Sequence, residues 1–211
     1  MIYWATRYGQ SPTGDLRFKL PEKFEAGEAV FDVSGESKVM CSQWNDDYTA
    51  MVGQEDCLLL NVYVPASVVD EGANVPVMVW IHGGAFVSGS GTYADFGPQY
   101  FMDLGVVMVT VNYRLGPFGF LSSATEELPG NLGLWDQALA LHWVRDNIQY
   151  FGGDRDQVTL FGESAGSERS VDELIKAQAP SDYELVMFSA LYTHQTPTHP
   201  NFDFVCIYHT F

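Results

Sequence analysis

Four short runs of near-continuous apolar residues set the strongest limit on what this chain can fold into. Leu58-Leu59-Leu60-Asn61-Val62-Tyr63-Val64 is stopped by Pro65, and Val75-Pro76-Val77-Met78-Val79-Trp80-Ile81 by Gly83-Gly84. Val106-Val107-Met108-Val109-Thr110-Val111 is the third run, and Val158-Thr159-Leu160-Phe161 the fourth. Each has the length of a strand, and none alternates apolar with polar. Strands buried on both faces look like this, as in a sheet covered by helices. Between the third and fourth runs the period becomes helical. Leu134, Ala138, Leu141, Val144 and Ile148 recur every three or four residues, and Gly152-Gly153 closes the segment as a C-cap should. Strand, helix, strand in this order predicts an α/β fold with a largely parallel sheet. Ahead of it, the turn signals Ser11-Pro12-Thr13-Gly14-Asp15 and Ser34-Gly35 predict short antiparallel strands within residues 1–50.

Composition excludes several functions. With 211 residues and 46% hydrophobic content, the chain can bury a sizeable core. Lys and Arg total 10 against 27 Asp and Glu, a formal net charge of −17. Such a surface repels phosphate backbones and anionic headgroups, so nucleic acid is excluded as a partner. The apolar runs are too short to span a membrane. The opening MIYWATRYGQSPTGD has no basic region followed by a long apolar stretch, so it does not read as a signal peptide. The three cysteines, Cys41, Cys57 and Cys206, fit no zinc spacing, and an odd count leaves at least one unpaired or paired outside the chain. No metal and no cofactor is implied.

The fourth run leads straight into Gly162-Glu163-Ser164-Ala165-Gly166. G-x-S-x-G is short and recurs by chance as an ordinary glycine-rich turn. After a strand and before a helix, its sharp turn lifts the serine hydroxyl above the sheet edge. The strand is present, and Ser167–Gln178 can form the helix, with Val171, Leu174, Ile175 and Gln178 on one face. A serine nucleophile also needs donors for the oxyanion formed at an attacked acyl carbon, and backbone N–H groups in a glycine-rich loop at a strand end supply them. His82-Gly83-Gly84-Ala85-Phe86 is such a loop, directly after the second run. Together the two motifs favour catalysis over two tight turns.

The chain resembles the type-B carboxylesterase (carboxylesterase/cholinesterase) family of α/β-hydrolases, and is similar to arthropod esterases at HGGAF and GPQYFMD. The resemblance is carried by Glu55 through Pro65 (EDCLLLNVYVP), by Asn112 through Leu121, by Gly130 through Gln137, and by Phe151 through Gly166. It implies an α/β-hydrolase fold, of which this chain is the N-terminal part: a mostly parallel sheet with helices on both faces. It implies Ser164 as nucleophile, the N–H groups of Gly84, Ala85 and Ala165 as oxyanion donors, and Glu163 lining the substrate gorge. It implies a Cys41–Cys57 disulfide, and so a secretory route for the parent protein. It also implies two ion pairs, Arg17–Glu55 and Arg114–Asp136, both at least partly buried. The substrate is then a small carboxylic ester. His82 reads as structural, and His142 as a packed or surface residue of the helix, rather than as the catalytic base.

After Ser167 the pattern departs. Glu168 through Gln178 loosely resembles a later segment of such esterases, which implies that an internal stretch is missing. Residues 1–167 thus read as the N-terminal part of an esterase domain, and 168–211 as a divergent tail. His194, His199 and His209, with Asp182, Glu184 and Asp203, show no spacing that suggests a triad. The expectation is an esterase nucleophile without its base and acid, in a sheet left with an unpaired edge. Two other readings stay open: a non-catalytic cholinesterase-like binding or adhesion protein, and an unstable fragment.

Overall fold

A computed structural model describes residues 1–25, 38–167 and two later strand backbones, 184–189 and 205–208. The chain starts with β1 (Ile2–Arg7), then forms a small hairpin of β2 (Gln43–Trp44) and β3 (Met51–Val52). The apolar runs follow as β4 (Leu59–Tyr63), a short helix α1 (Ala66–Glu71) and β5 (Val75–Ile81). Next come α2 (Gln99–Met102), β6 (Val107–Val111), α3 (Gly116–Phe120) and α4 (Leu132–Asn147). The order closes with β7 (Gly153–Glu163), β8 (Glu184–Ser189) and β9 (Val205–Tyr208).

Seven strands form one sheet in the order β1-β4-β6-β5-β7-β8-β9. Its centre is parallel, with β5 between β6 and β7 and β7 beside β8. Its flanks are antiparallel: β1 with β4, β4 with β6, and β8 with β9. β1 and β2 in the first 50 residues are antiparallel strands, but their partners β4 and β3 lie beyond residue 50, and the turn read at Ser34-Gly35 lies outside the described residues. A run of five buried residues in β4 reports cover on both faces, not strand direction.

The expectation of an unpaired edge after β7 is overturned. Thr159–Glu163 of β7 pairs with Glu184–Phe188 of β8, and β9 extends the sheet beyond it. ELVMFS and VCIY are short and rich in β-branched, aromatic and aliphatic residues, which suffices to satisfy an open row of backbone groups. The helix read over Ser167–Gln178 lies outside the described residues beyond Ser167.

The two faces of the sheet are covered unequally. On one, α4 presents Leu134, Leu141 and Val144 to Val77, Val79, Ile81, Val109 and Leu160. These strand residues are essentially inaccessible, and each such side chain contributes roughly 1.5–3 kcal/mol on burial. α4 passes through a 3-10 turn, Ile148–Phe151, and stops at Gly152 with φ 78°, the left-handed cap expected there. On the other face α2 supplies Phe101 and Met102 over Tyr63, Met108 and Phe161, while Met78 and Trp80 stay half-buried. β5 therefore alternates, unlike β4 and β6, although its sequence is equally apolar.

Candidate active site

Parallel pairing brings the two glycine motifs together. In register, Ile81 of β5 lies opposite Gly162 of β7. Both strands run the same way, so His82-Gly83 and Glu163-Ser164 emerge side by side at one carboxyl edge, where open α/β sheets place ligands. The approach is close enough to demand glycine. A Cβ on Gly83 would stand 2.5 Å from Glu163 Oε2 and 3.1 Å from the Ser164 Cβ. One on Gly162 would stand 2.4 Å from the Gly166 carbonyl oxygen, and one on Gly166 2.2 Å from that of Ile81. Ser164 opens a 3-10 turn, Ser164–Ser167, with φ 52°, a left-handed conformation costing roughly 1–3 kcal/mol in a non-glycine residue. Its side chain is exposed, and its hydroxyl makes no hydrogen bond to a described residue. Ala165 is buried in the same turn.

The glycine loop carries more of this strain. Gly84, Ala85 and Phe86 have φ of 96°, 52° and 62° in succession. The turn is closed by the Val87 and Ser88 N–H groups, which donate to the Gly84 carbonyl at 3.0 and 3.1 Å. Phe86 is fixed by the Gly116 N–H on its carbonyl at 2.7 Å and by its ring against Phe120 at 4.9 Å. Neither the Gly84 nor the Ala85 N–H donates to a described residue. The loop thus holds two backbone donors in a fixed turn beside an exposed serine.

His82 secures the base of the loop. It is 1% exposed, and its Nδ1–H donates to the Gly83 carbonyl at 2.8 Å. Burial lowers its pKa to about 4, against weaker upward pulls from the Gly83 carbonyl and Asp95, so the ring is neutral. It stacks on Tyr113 at 4.4 Å, and the Tyr113 hydroxyl donates to the His82 carbonyl at 2.8 Å. Burial pushes the Tyr113 phenol up, with the Glu163 charge adding to it. Sequence reading missed Tyr113, and it missed two asparagines that hold the far side of the loop. Asn61 donates to the Gly91 carbonyl at 2.8 Å and accepts from the Ala5 N–H at 2.9 Å. Asn112 accepts from the Gly91 N–H at 2.8 Å and donates to the Val39 carbonyl at 2.9 Å. The signal was available: Asn61 is the one polar residue inside its apolar run.

The supporting pairs divide. Cys41 and Cys57 form a buried disulfide, with Cα atoms 5.0 Å apart. Arg114 and Asp136 form a fully buried pair: Nη2 and Nε reach the carboxylate at 2.7 and 2.8 Å, and the Arg114 backbone N–H adds a third bond at 3.0 Å. Arg17 meets Glu55 in a pair that is only partly buried, as expected. The Arg17 side chain is 43% exposed and that of Glu55 23%. Sequence reading missed a bidentate pair, Arg7–Asp56, whose arginine is deeper at 15% exposure and whose carboxylate is 36% exposed; Arg7 holds the Asp56 carboxyl below its ordinary range. Among the described residues no helix is long and apolar enough to cross a membrane, and no cluster of three metal-ligating residues occurs.

A profile of the carboxylesterase family matches residues 1–184. The chain belongs to the carboxylesterase family. Among its relatives, the chain is 49% identical over 171 residues to a juvenile hormone esterase of Tribolium castaneum, covering 79% of this chain and 28% of that protein. It is 50% identical over 167 residues to a para-nitrobenzyl esterase of Bacillus subtilis, covering 75% and 33%. Its fold superposes on the crystal structure of juvenile hormone esterase from Manduca sexta with a TM-score of 0.71 at 36% identity, covering 80% of this chain and 32% of that one. A para-nitrobenzyl esterase structure superposes at 0.69 with 46% identity, covering 79% and 34%. The carboxylesterase chain thus has the α/β-hydrolase fold in part, and spans about a third of the length of these relatives.

Proposed function

We propose that this carboxylesterase chain carries the nucleophile and oxyanion machinery of a serine hydrolase acting on small carboxylic esters. Ser164 attacks the ester carbonyl, the N–H groups of Gly84, Ala85 and Ala165 hold the oxyanion, and Glu163 borders the substrate. The observation behind this reading is the Gly83–Ser164 approach: a strained serine and a strained loop with unused N–H donors meet at one sheet edge. Losing one oxyanion donor in such a site costs roughly 10²–10³ in kcat. The proposal has a second part. Residues 1–167 form the esterase portion, 168–211 diverge from it, and the 211 residues hold neither the triad histidine nor its acid. His82 is committed to Gly83 and Tyr113, and the Ser164 hydroxyl has no described partner. The disulfide points to maturation in an oxidising, secretory compartment.

The test is hydrolysis of a short activated ester. A longer product of the same gene, carrying the histidine and acid, is expected to turn over p-nitrophenyl acetate, and Ser164→Ala to lower its kcat by about 10⁶. The 211-residue chain is expected to show no practical turnover. If the longer product is inactive, a non-catalytic binding protein is the better reading.

A further inference from the structure

The disulfide loop and the glycine loop are joined through one side chain. Gln43 stands in β2, two residues beyond Cys41 and inside the loop that the Cys41–Cys57 bridge closes. It is 8% exposed. Its Oε1 accepts from the Gly89 N–H at 2.8 Å, and its Nε2 donates to the Gly89 carbonyl at 2.9 Å and to the Cys41 carbonyl at 3.0 Å. A single amide thus satisfies both backbone groups of Gly89 and ties them to the backbone of a bridged cysteine. Gly89 is no passive neighbour. It has φ +111°, and a Cβ there would stand 2.4 Å from His82 Nδ1 and 2.9 Å from the Gly83 carbonyl oxygen. Its backbone therefore lies flat against the hinge where the loop leaves β5, and the strained Gly84–Phe86 turn is held between this contact and the end of β5.

We propose that Gln43 is a positioning residue that makes the order of the Gly84–Ala85 loop depend on the oxidation state of Cys41–Cys57. The inference rests on the proposed function only in giving the loop an oxyanion role. With the bridge intact, the backbone at Cys41 is pinned and Gln43 clamps Gly89. Reduction by an external dithiol transfers two electrons and two protons to the bridge. It leaves two cysteine thiols and converts the dithiol to its disulfide. The neck of the loop over residues 42–56 then keeps only its backbone bonds, the Ser42 N–H on the Gln54 carbonyl at 3.1 Å and the Gln54 N–H on the Met40 carbonyl at 3.0 Å, so the Gln43 amide has a looser base and Gly89 can leave His82. Coupling of this kind is reciprocal: a clamp that transmits disulfide state to the loop also stabilises the oxidised bridge.

The test is amide hydrogen exchange on the 211-residue chain, following residues 83–91 with α4 as internal reference. In the native sequence, dithiothreitol is expected to raise exchange at 83–91 at least tenfold before α4 responds. Gln43→Met, similar in shape but without the hydrogen bonds, is expected to give a comparable rise with the bridge intact, and dithiothreitol then adds less than twofold. Gln43→Glu keeps the acceptor for the Gly89 N–H but sets its second oxygen against the Gly89 and Cys41 carbonyls, and is expected to loosen the loop as Gln43→Met does. By reciprocity, Gln43→Met makes the bridge about tenfold easier to reduce, an upward shift of about 30 mV for this two-electron couple. Unchanged exchange in Gln43→Met, or a dithiothreitol effect of equal size with and without the clamp, overturns the proposal. If Gln43→Met loosens α4 as well, the native chain decides: simultaneous loss at 83–91 and α4 on reduction overturns it too. None of these readouts uses Ser164, so their failure leaves the hydrolase reading standing, and failure of ester turnover leaves the coupling standing.

Discussion

The two halves of the site differ in how fully this chain supports them. The glycine loop is braced from many sides: His82 and Tyr113 hold its base, Gln43 holds Gly89, and Asn61 and Asn112 hold Gly91. The serine turn is held by close glycine contacts with β5 and the loop, by the Ser167 hydroxyl on the Ser164 carbonyl at 2.9 Å and by β7–β8 pairing up to Glu163, while the Ser164 hydroxyl has no described partner. In a preorganised site the donors must be fixed before reaction, because their worth lies in needing no reorganisation. A nucleophile needs a proton acceptor as well, and that requires a side chain from elsewhere in the fold. On the proposed reading, the first condition is met within residues 1–167. Substitutions on the loop side should therefore register as lost stability, and substitution at the serine as lost chemistry.

The largest effect is expected at the buried ion pair that supports the loop from below. Arg114 directly follows Tyr113, so Asp136→Ala strands a buried guanidinium and should destabilise by roughly 3–5 kcal/mol in chemical denaturation. Arg17→Ala, at the exposed pair, should be lost in the scatter of surface substitutions; an equal effect at both sites would break the contrast. His82 comes next. Its pKa is about 4 in the folded chain and about 6.5 when unfolded, so the unfolded state binds more protons between those values. Stability should be fully present above about pH 6.5 and fall by about 3 kcal/mol as pH drops to about 4. His82→Gln should flatten that slope in denaturation curves taken across the window. Gly83→Ala pushes a methyl against Glu163 and the Ser164 Cβ, and should cost roughly 1–3 kcal/mol in thermal melts. Tyr113→Phe removes one hydrogen bond to the His82 carbonyl and should cost about 1 kcal/mol.

Much of this arrangement was legible in the sequence. The four apolar runs became β4 to β7, because burial on two faces leaves a one-dimensional trace. HGGAF and GESAG were legible because close backbone approach admits only glycine, and the structure shows which atoms make the approach. Strand direction was not: β4 is antiparallel to both neighbours and as apolar as a parallel strand. Nor was the pairing of β8 with β7, which depends on an open edge rather than on a motif. The bonds from Gln43, Asn61 and Asn112 to backbone were hidden for a similar reason. A side-chain amide finds its partner only once distant segments have met, and Gln43 lies 46 residues from Gly89.

Covalent labelling of Ser164 decides most directly whether this chain holds a braced oxyanion loop beside an unactivated serine. A fluorophosphonate that phosphonylates activated serines, read by peptide mass spectrometry, should leave Ser164 of the 211-residue chain unmodified. The same probe should modify Ser164 stoichiometrically in a longer product that carries the histidine and acid. Stoichiometric labelling of the short chain would contradict the account, because it would require a base within these 211 residues.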